Sequence, residues 1–223
     1  TAHKGNDDAA IVSRSGLLAW MGHDAGNPHK SAYQSELYVM QPDGTGRGTL
    51  TGAFDRNVGE VQGTDAGWLH GLGQRVAFTP NGKELLFLSG DDGLTKLYRV
   101  DVSGGEVREV PNVMRGDLRE ISVANNGAMA TIFGAPTQPF EVWTSEGVGK
   151  PWRQRTNQAL ANLPGAKLSA YEQIEAKSFD GQRIQGWLVK PPDFDPARKY
   201  PLILYIHGGP HAMYGENFYH EFQ

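Results

Sequence analysis

At 223 residues, with 21 basic against 25 acidic side chains and a net charge of −4, the chain has material for one large domain or two smaller ones. It has no stripe of Lys and Arg to track phosphates and nothing near the ~18 consecutive apolar residues of a membrane span, so neither nucleic acid nor a membrane is an expected partner. The absence of cysteine excludes disulfides, Cys-based zinc sites and a thiol nucleophile, while 29 Gly and 13 Pro against 39% hydrophobic residues favour short strands joined by tight turns. The opening residues Thr1 to Asp8 hold no apolar signal core, so a soluble, cytoplasmic product is expected, although a targeting peptide could precede Thr1.

In chain order, Ser15-Gly16-Leu17-Leu18-Ala19-Trp20 reads as a turn feeding a strand, Glu36-Leu37-Tyr38-Val39-Met40 as a second strand, and Asp43-Gly44-Thr45 as the turn after it. The order returns more compactly downstream. Asn81-Gly82 leads into a strand at 84–88, Lys96 to Asp101 forms the next, and Ser103-Gly104-Gly105 turns into a third. Gly127 stands 45 residues beyond Gly82, in Asn125-Asn126-Gly127, and opens the same sequence again, with Glu141-Val142-Trp143-Thr144 in the place of the second strand. Units of ~40–50 residues with about four strands each are the pattern of β-propeller blades, and a ring needs ~4–8 of them. About three are expected here. An ordinary antiparallel sandwich with similar hairpins is the alternative.

The repeat ends near Asn157, and Gln158 to Lys167 with its Pro164-Gly165 reads as a linker or short helical turn. Beyond it, runs at 171–179 and 182–190 flank Asp180-Gly181, a hairpin signal. The proline-rich stretch from Pro191 to Pro196 then delivers the chain to Pro201-Leu202-Ile203-Leu204-Tyr205-Ile206, an apolar run expected to be a strand buried on both faces. It ends in His207-Gly208-Gly209-Pro210. Glycines there leave backbone N–H groups bare, and one donor aimed at a developing oxyanion is worth roughly 2.7–4 kcal/mol. A glycine turn that only packs a strand against a helix would look the same.

Two strands, a proline-rich crossing and a buried strand ending in His-Gly-Gly match the entry to an α/β-hydrolase sheet, whose nucleophile sits on a G-x-S-x-G elbow. No such elbow occurs in these 223 residues. His207 precedes the place of the nucleophile, whereas the base of that fold follows it, so a scaffolding role is expected. His207 and His211 stand four apart, but the glycines and Pro210 between them forbid a helix, and no metal site is expected. Met213 and Tyr214 could line a substrate pocket or simply pack. Arg56 could face a tunnel and anchor a substrate terminus, or lie in a surface ion pair.

Asp180-Gly181, Gly186-Trp187-Leu188-Val189-Lys190-Pro191-Pro192, Phe194-Asp195-Pro196, Lys199-Tyr200-Pro201 and the run from His207 through Gly215 together resemble the start of the catalytic domain of the prolyl oligopeptidase (S9) family, its acylaminoacyl peptidase branch above all. Gly22-His23-Asp24 and Asp55-Arg56-Asn57-Val58-Gly59 resemble its middle blades, less specifically. The resemblance implies a mostly β fragment: a partial propeller over 1–157, a linker over 158–168, and the first strands and oxyanion loop of an α/β-hydrolase domain over 169–223. It implies a serine exopeptidase for short peptides, without cofactor, whose propeller acts as a size filter. Gly209 N–H is the best match to the oxyanion donor, with Gly208 allowing the turn and Pro210 fixing it. Partners would be a short peptide substrate, the remainder of the same enzyme and, in some members, a second subunit. Without Ser, Asp and His of the triad, the fragment is expected to be inactive alone. The contrasting expectation is a non-catalytic propeller module that binds a protein and carries a degenerate hydrolase tail; an esterase or lipase fits the loop but not the repeats.

Overall fold

A computed structural model describes residues 5–24, 34–66, 73–111, 113–209 and 212–223. Its strands form three four-stranded antiparallel sheets, each a meander in sequence order. The first comprises β1 (Asp7–Val12), β2 (Leu18–Gly22), β3 (Glu36–Met40) and β4 (Gly48–Thr49). The second comprises β5 (Val76–Phe78), β6 (Glu84–Asp91), β7 (Leu94–Asp101) and β8 (Arg108–Glu109). The third comprises β9 (Asp117–Val123), β10 (Met129–Ala135), β11 (Gln138–Ser145) and β12 (Trp152–Gln154).

The same turn starts each meander. Gly16, Gly82 and Gly127, at φ +89, +67 and +89, donate their N–H groups to Ser13, Thr79 and Ala124 carbonyls three residues back. In the second and third sheets the residue before glycine is Asn, and Asn81 and Asn126 Oδ1 each accept the N–H two residues on. Only glycine takes the positive φ without strain, so the Asn-Gly pairs fix where each first hairpin reverses.

Period-2 alternation along β6 explains how the sheets stack. Leu85 and Phe87 point to one side, into a core shared with Ala19, Met21, Leu37 and Val39 of the first sheet. Leu86 and Leu88 point to the other, against Leu118, Ile121, Met129 and Phe133 of the third. The middle sheet is thus apolar on both faces, and each of these fully buried side chains is worth about 1.5–3 kcal/mol.

The tip of the β6–β7 hairpin, Asp92-Gly93, has φ +52 and +76, the two left-handed residues of a tight hairpin turn. It is also where the C-terminal region docks. A short helix, α1 (Gln158–Ala161), follows the third sheet, with Ala159 N–H donating to Glu141 Oε1 at 2.7 Å. Next comes a full-register hairpin of β13 (Tyr171–Lys177) and β14 (Arg183–Val189) about Asp180-Gly181. Arg183 pairs with Asp92 at 3.0 Å, Gln185 Nε2 donates to Asp92 O at 3.1 Å, and a methyl on Gly93 would come within 2.3 Å of the Trp187 ring.

One expectation is not met. Residues 202–206 pair with no strand, and Leu202, Ile203 and Leu204 are 82%, 86% and 81% exposed. An all-apolar strand is stable where neighbours flank both edges and helices cover both faces, and no described residue supplies either.

Candidate functional site

The loop that ends this apolar run is built from backbone geometry and a group of rings. Gly209 has φ +135, a conformation open to glycine and strained for any other residue, and its surface is exposed. Gly208 has no positive φ, and a methyl there would meet nothing within 4 Å. The turn therefore needs its glycine at 209, not at 208. Pro210 and His211 lie outside the described residues.

His207 is exposed and lies along the loop. Its Nδ1 is 2.9 Å from Gly208 O, and its ring meets Tyr214 edge-on at 5.5 Å. Tyr214 in turn contacts Tyr205, Tyr219 and Phe222 at 5.8, 5.4 and 5.5 Å, and Tyr219 stacks on Phe222 at 4.3 Å. These aromatic contacts tie both flanks of the loop, 205–207 and 214, to the final 3-10 turn at His220–Phe222. That turn is held by Asp65, whose carboxylate accepts the N–H groups of His220 and Glu221 at 3.0 and 2.6 Å.

Met213 reaches the middle sheet. Its carbonyl accepts Gly63 N–H at 2.7 Å, and a methyl on Gly90 would fall 2.5 Å from its Cε. Arg56 is close by in the fold, for its Nε lies 2.9 Å from Asp91 Oδ1, next to Gly90. Asp91 also pairs with Lys96 at 2.8 Å and accepts Tyr98 O–H at 3.2 Å. Burial raises the Asp91 pKa, but Lys96 and Arg56 outweigh it and hold the carboxyl below its ordinary value. Arg56 and Met213 thus meet neighbouring residues at the end of β6, Asp91 and Gly90, with Tyr214 beside Gly63.

A buried polar cluster had no signal in the sequence. Asp117 at the start of β9 is fully buried; Thr95 Oγ1 donates to its Oδ1 at 2.6 Å, and Asn217 Nδ2 lies 3.3 Å from Oδ2. Arg119 Nη2 is 2.6 Å from the same Oδ2. Desolvation nevertheless dominates both partners, pushing Asp117 up to about 6 and Arg119 downward. Nothing local in the sequence marks this cluster, because the partner Asn217 is 100 positions away. Among the described residues no three His, Asp or Glu side chains are grouped to hold a metal ion, and no helix is long and apolar enough to cross a membrane.

Three stacked antiparallel meanders are followed by a hairpin and a glycine loop, and in sequence the chain is similar to peptidases. No family model matches the chain. It is 27% identical over 199 residues to an uncharacterized peptidase, YuxL, of Bacillus subtilis, covering 87% of this chain and 29% of that protein. It is 27% identical over 198 residues to dipeptidyl-peptidase 5 of Porphyromonas gingivalis, covering 86% of this chain and 25% of that one. The chain therefore spans less than a third of the length of these relatives. Among solved structures, an acylaminoacyl peptidase in complex with Z-Gly-Gly-Phe-chloromethyl ketone superposes with a TM-score of 0.68 at 22% identity, over 96% of this chain and 30% of that one. A puromycin hydrolase follows at a TM-score of 0.63 and 16% identity, over 96% of this chain and 31% of that chain. Both share the fold.

Proposed function

We propose that this chain is the later-blade and early-hydrolase part of a propeller-gated serine exopeptidase that cleaves short peptides through an acyl-enzyme. The observation that carries the proposal is Gly209, an exposed glycine at φ +135 directly after an apolar run, its flanks tied down by packed rings. A backbone N–H so placed can donate to the oxyanion of a tetrahedral intermediate, where a fixed donor counts most because it needs no reorganisation during reaction. Support for the rest comes from the three meanders, which have the strand count and sequential order of blades, and from the 27% identical peptidases. The serine, aspartate and histidine of the triad are assigned to sequence outside this chain, which contains no G-x-S-x-G elbow.

In that chemistry the serine oxygen attacks the peptide carbonyl and the amine leaves with a proton from the histidine. Water then hydrolyses the ester by the same route in reverse. No cofactor takes part. Met213 and Tyr214 line the substrate side of the loop, and Arg56, through its link to Asp91, borders the approach. The isolated chain is inactive, and the cytoplasm is the proposed compartment.

Two substrate handles are open to this site. The sequence resemblance favours an acylated amino-terminal residue; the name dipeptidyl-peptidase 5, carried by one of the 27% identical relatives, favours release of two residues from a free amino terminus. The full-length protein decides between them. A fluorophosphonate should label one serine in a G-x-S-x-G elbow, and acetyl-alanyl p-nitroanilide should be cleaved faster than alanyl-alanyl p-nitroanilide. The opposite ratio would establish dipeptide release. No labelling and no cleavage of either would leave the non-catalytic binding module.

A further inference from the structure

The buried cluster around Asp117 bonds the sheets to the segment that follows the loop. Asp117 has no exposed surface, while Thr95 and Asn217 are each 1% exposed. Polar groups so deeply buried are unfavourable unless each finds a partner. Here the partners form a directed chain. Asn217 Nδ2, beside Asp117 Oδ2, donates to Gly63 O at 2.6 Å, and Gly63 N–H donates to Met213 O at 2.7 Å. Residues 213–217 thereby grip Gly63 by both its carbonyl and its N–H. Two more contacts fix the same segment: Glu216 N–H donates to Gly93 O at 2.8 Å, and Arg115 pairs with the Glu216 carboxylate, Nε to Oε2 at 2.7 Å. Gly215 has no room for a side chain, since a methyl would come within 2.2 Å of Gly93 O and 2.3 Å of Gln62 Oε1.

We propose that Asp117 and Asn217 are positioning residues for the loop that carries Gly209: Asp117 orients the Asn217 amide, the amide holds Gly63, and Gly63 holds Met213, four residues past Gly209. Tyr214, next in line, passes the constraint to His207 and Tyr205 on the far flank of the loop. The sheet side of the molecule thus sets the direction of the Gly209 N–H. For stability alone, apolar side chains of equal volume would serve this junction as well as a buried ionic pair, or better. What the polar chain adds is direction, the quantity on which oxyanion binding depends. The inference rests on the oxyanion role proposed above for Gly209.

The test uses the full-length protein. Asn217→Ala and Asp117→Asn should each lower kcat for a peptide anilide roughly 10- to 100-fold while KM stays within about twofold. Amide hydrogen exchange should quicken across residues 205–216 and remain slow in β6 and β7, which separates a loosened loop from a protein that no longer folds. The double variant should be no slower than the worse single one, because both act on one linkage. An unchanged kcat in both single variants, or exchange that quickens evenly over all strands, would overturn the proposal. If the parent protein cleaves no peptide, the oxyanion role of Gly209 fails on that result alone. Exchange across 205–216 then still decides whether Asp117 and Asn217 hold the loop.

Discussion

Asp117 is the residue where burial and charge oppose each other most openly. Thr95, Asn217 and Arg119 all favour its ionised form, yet burial prevails and its pKa rises to about 6 from an ordinary value of 3.8. Between those two values the folded protein binds more protons at this site than the unfolded chain does. Stability from this group therefore falls as pH rises through the window, and above about 6 the cost of the buried charge is fully present. In the full-length protein, Asp117→Asn removes the titration. Its melting temperature relative to wild type should climb by roughly a few degrees between pH 4 and pH 7. A constant offset across that range would show that the Asp117 carboxyl does not titrate there. Arg56 behaves otherwise: part-exposed and paired with Asp91, it belongs to the surface ion pairs whose individual worth is about 0–1 kcal/mol.

At the scale of elements, the turns were legible and the edges were not. Asn81-Gly82, Asn126-Gly127 and Asp180-Gly181 announce hairpins because their chemistry is local: glycine takes the positive φ, and Asn or Asp accepts the N–H two residues on. The inner strands β2, β3, β6, β7, β10 and β11 show themselves as short segments rich in apolar residues beside such turns. By contrast, β9 begins Asp117-Leu118-Arg119-Glu120, and its charges look like surface until Asn217 arrives from far along the chain. The outer strands β4 and β8 are two residues each, too short to carry a period. The apolar run at 202–206 was read as a strand from composition alone, but ladder formation depends on neighbours, which the described residues do not provide. The recurring turn makes a direct prediction. Gly127→Ala has open space for its methyl and strain from φ +89 alone, so it should destabilise by about 1 kcal/mol in chemical denaturation. Gly48→Ala, with open space and no positive φ, should be close to neutral, and a loss there equal to that at Gly127 would show that positive φ is not what makes Gly127 costly to replace.

Across the whole molecule, the three sheets share their cores in a stack, and the C-terminal segments meet at one hairpin tip of it. Asp92-Gly93, at the tip of the β6–β7 hairpin, receives Arg183 and Trp187 from the β13–β14 hairpin and the Glu216 N–H from the segment after the loop. The β13–β14 hairpin and the segment after the loop, both expected from sequence to lie in the same C-terminal portion, therefore share one anchor on the middle sheet. This organisation was legible in part: repeats and loop could be read along the chain, but their meeting point is made by pairs more than 90 residues apart, such as Gln185 with Asp92, and leaves no local pattern. The most direct measurement of the central claim is a crystal structure of the full-length protein with a peptide aldehyde bound covalently to its active-site serine. If Gly209 supplies the oxyanion donor, the hemiacetal oxygen will lie roughly 2.7–3.1 Å from Gly209 N, within hydrogen-bond range of its N–H. An oxygen seated against other donors, with Gly209 N–H turned away from it, would contradict the account.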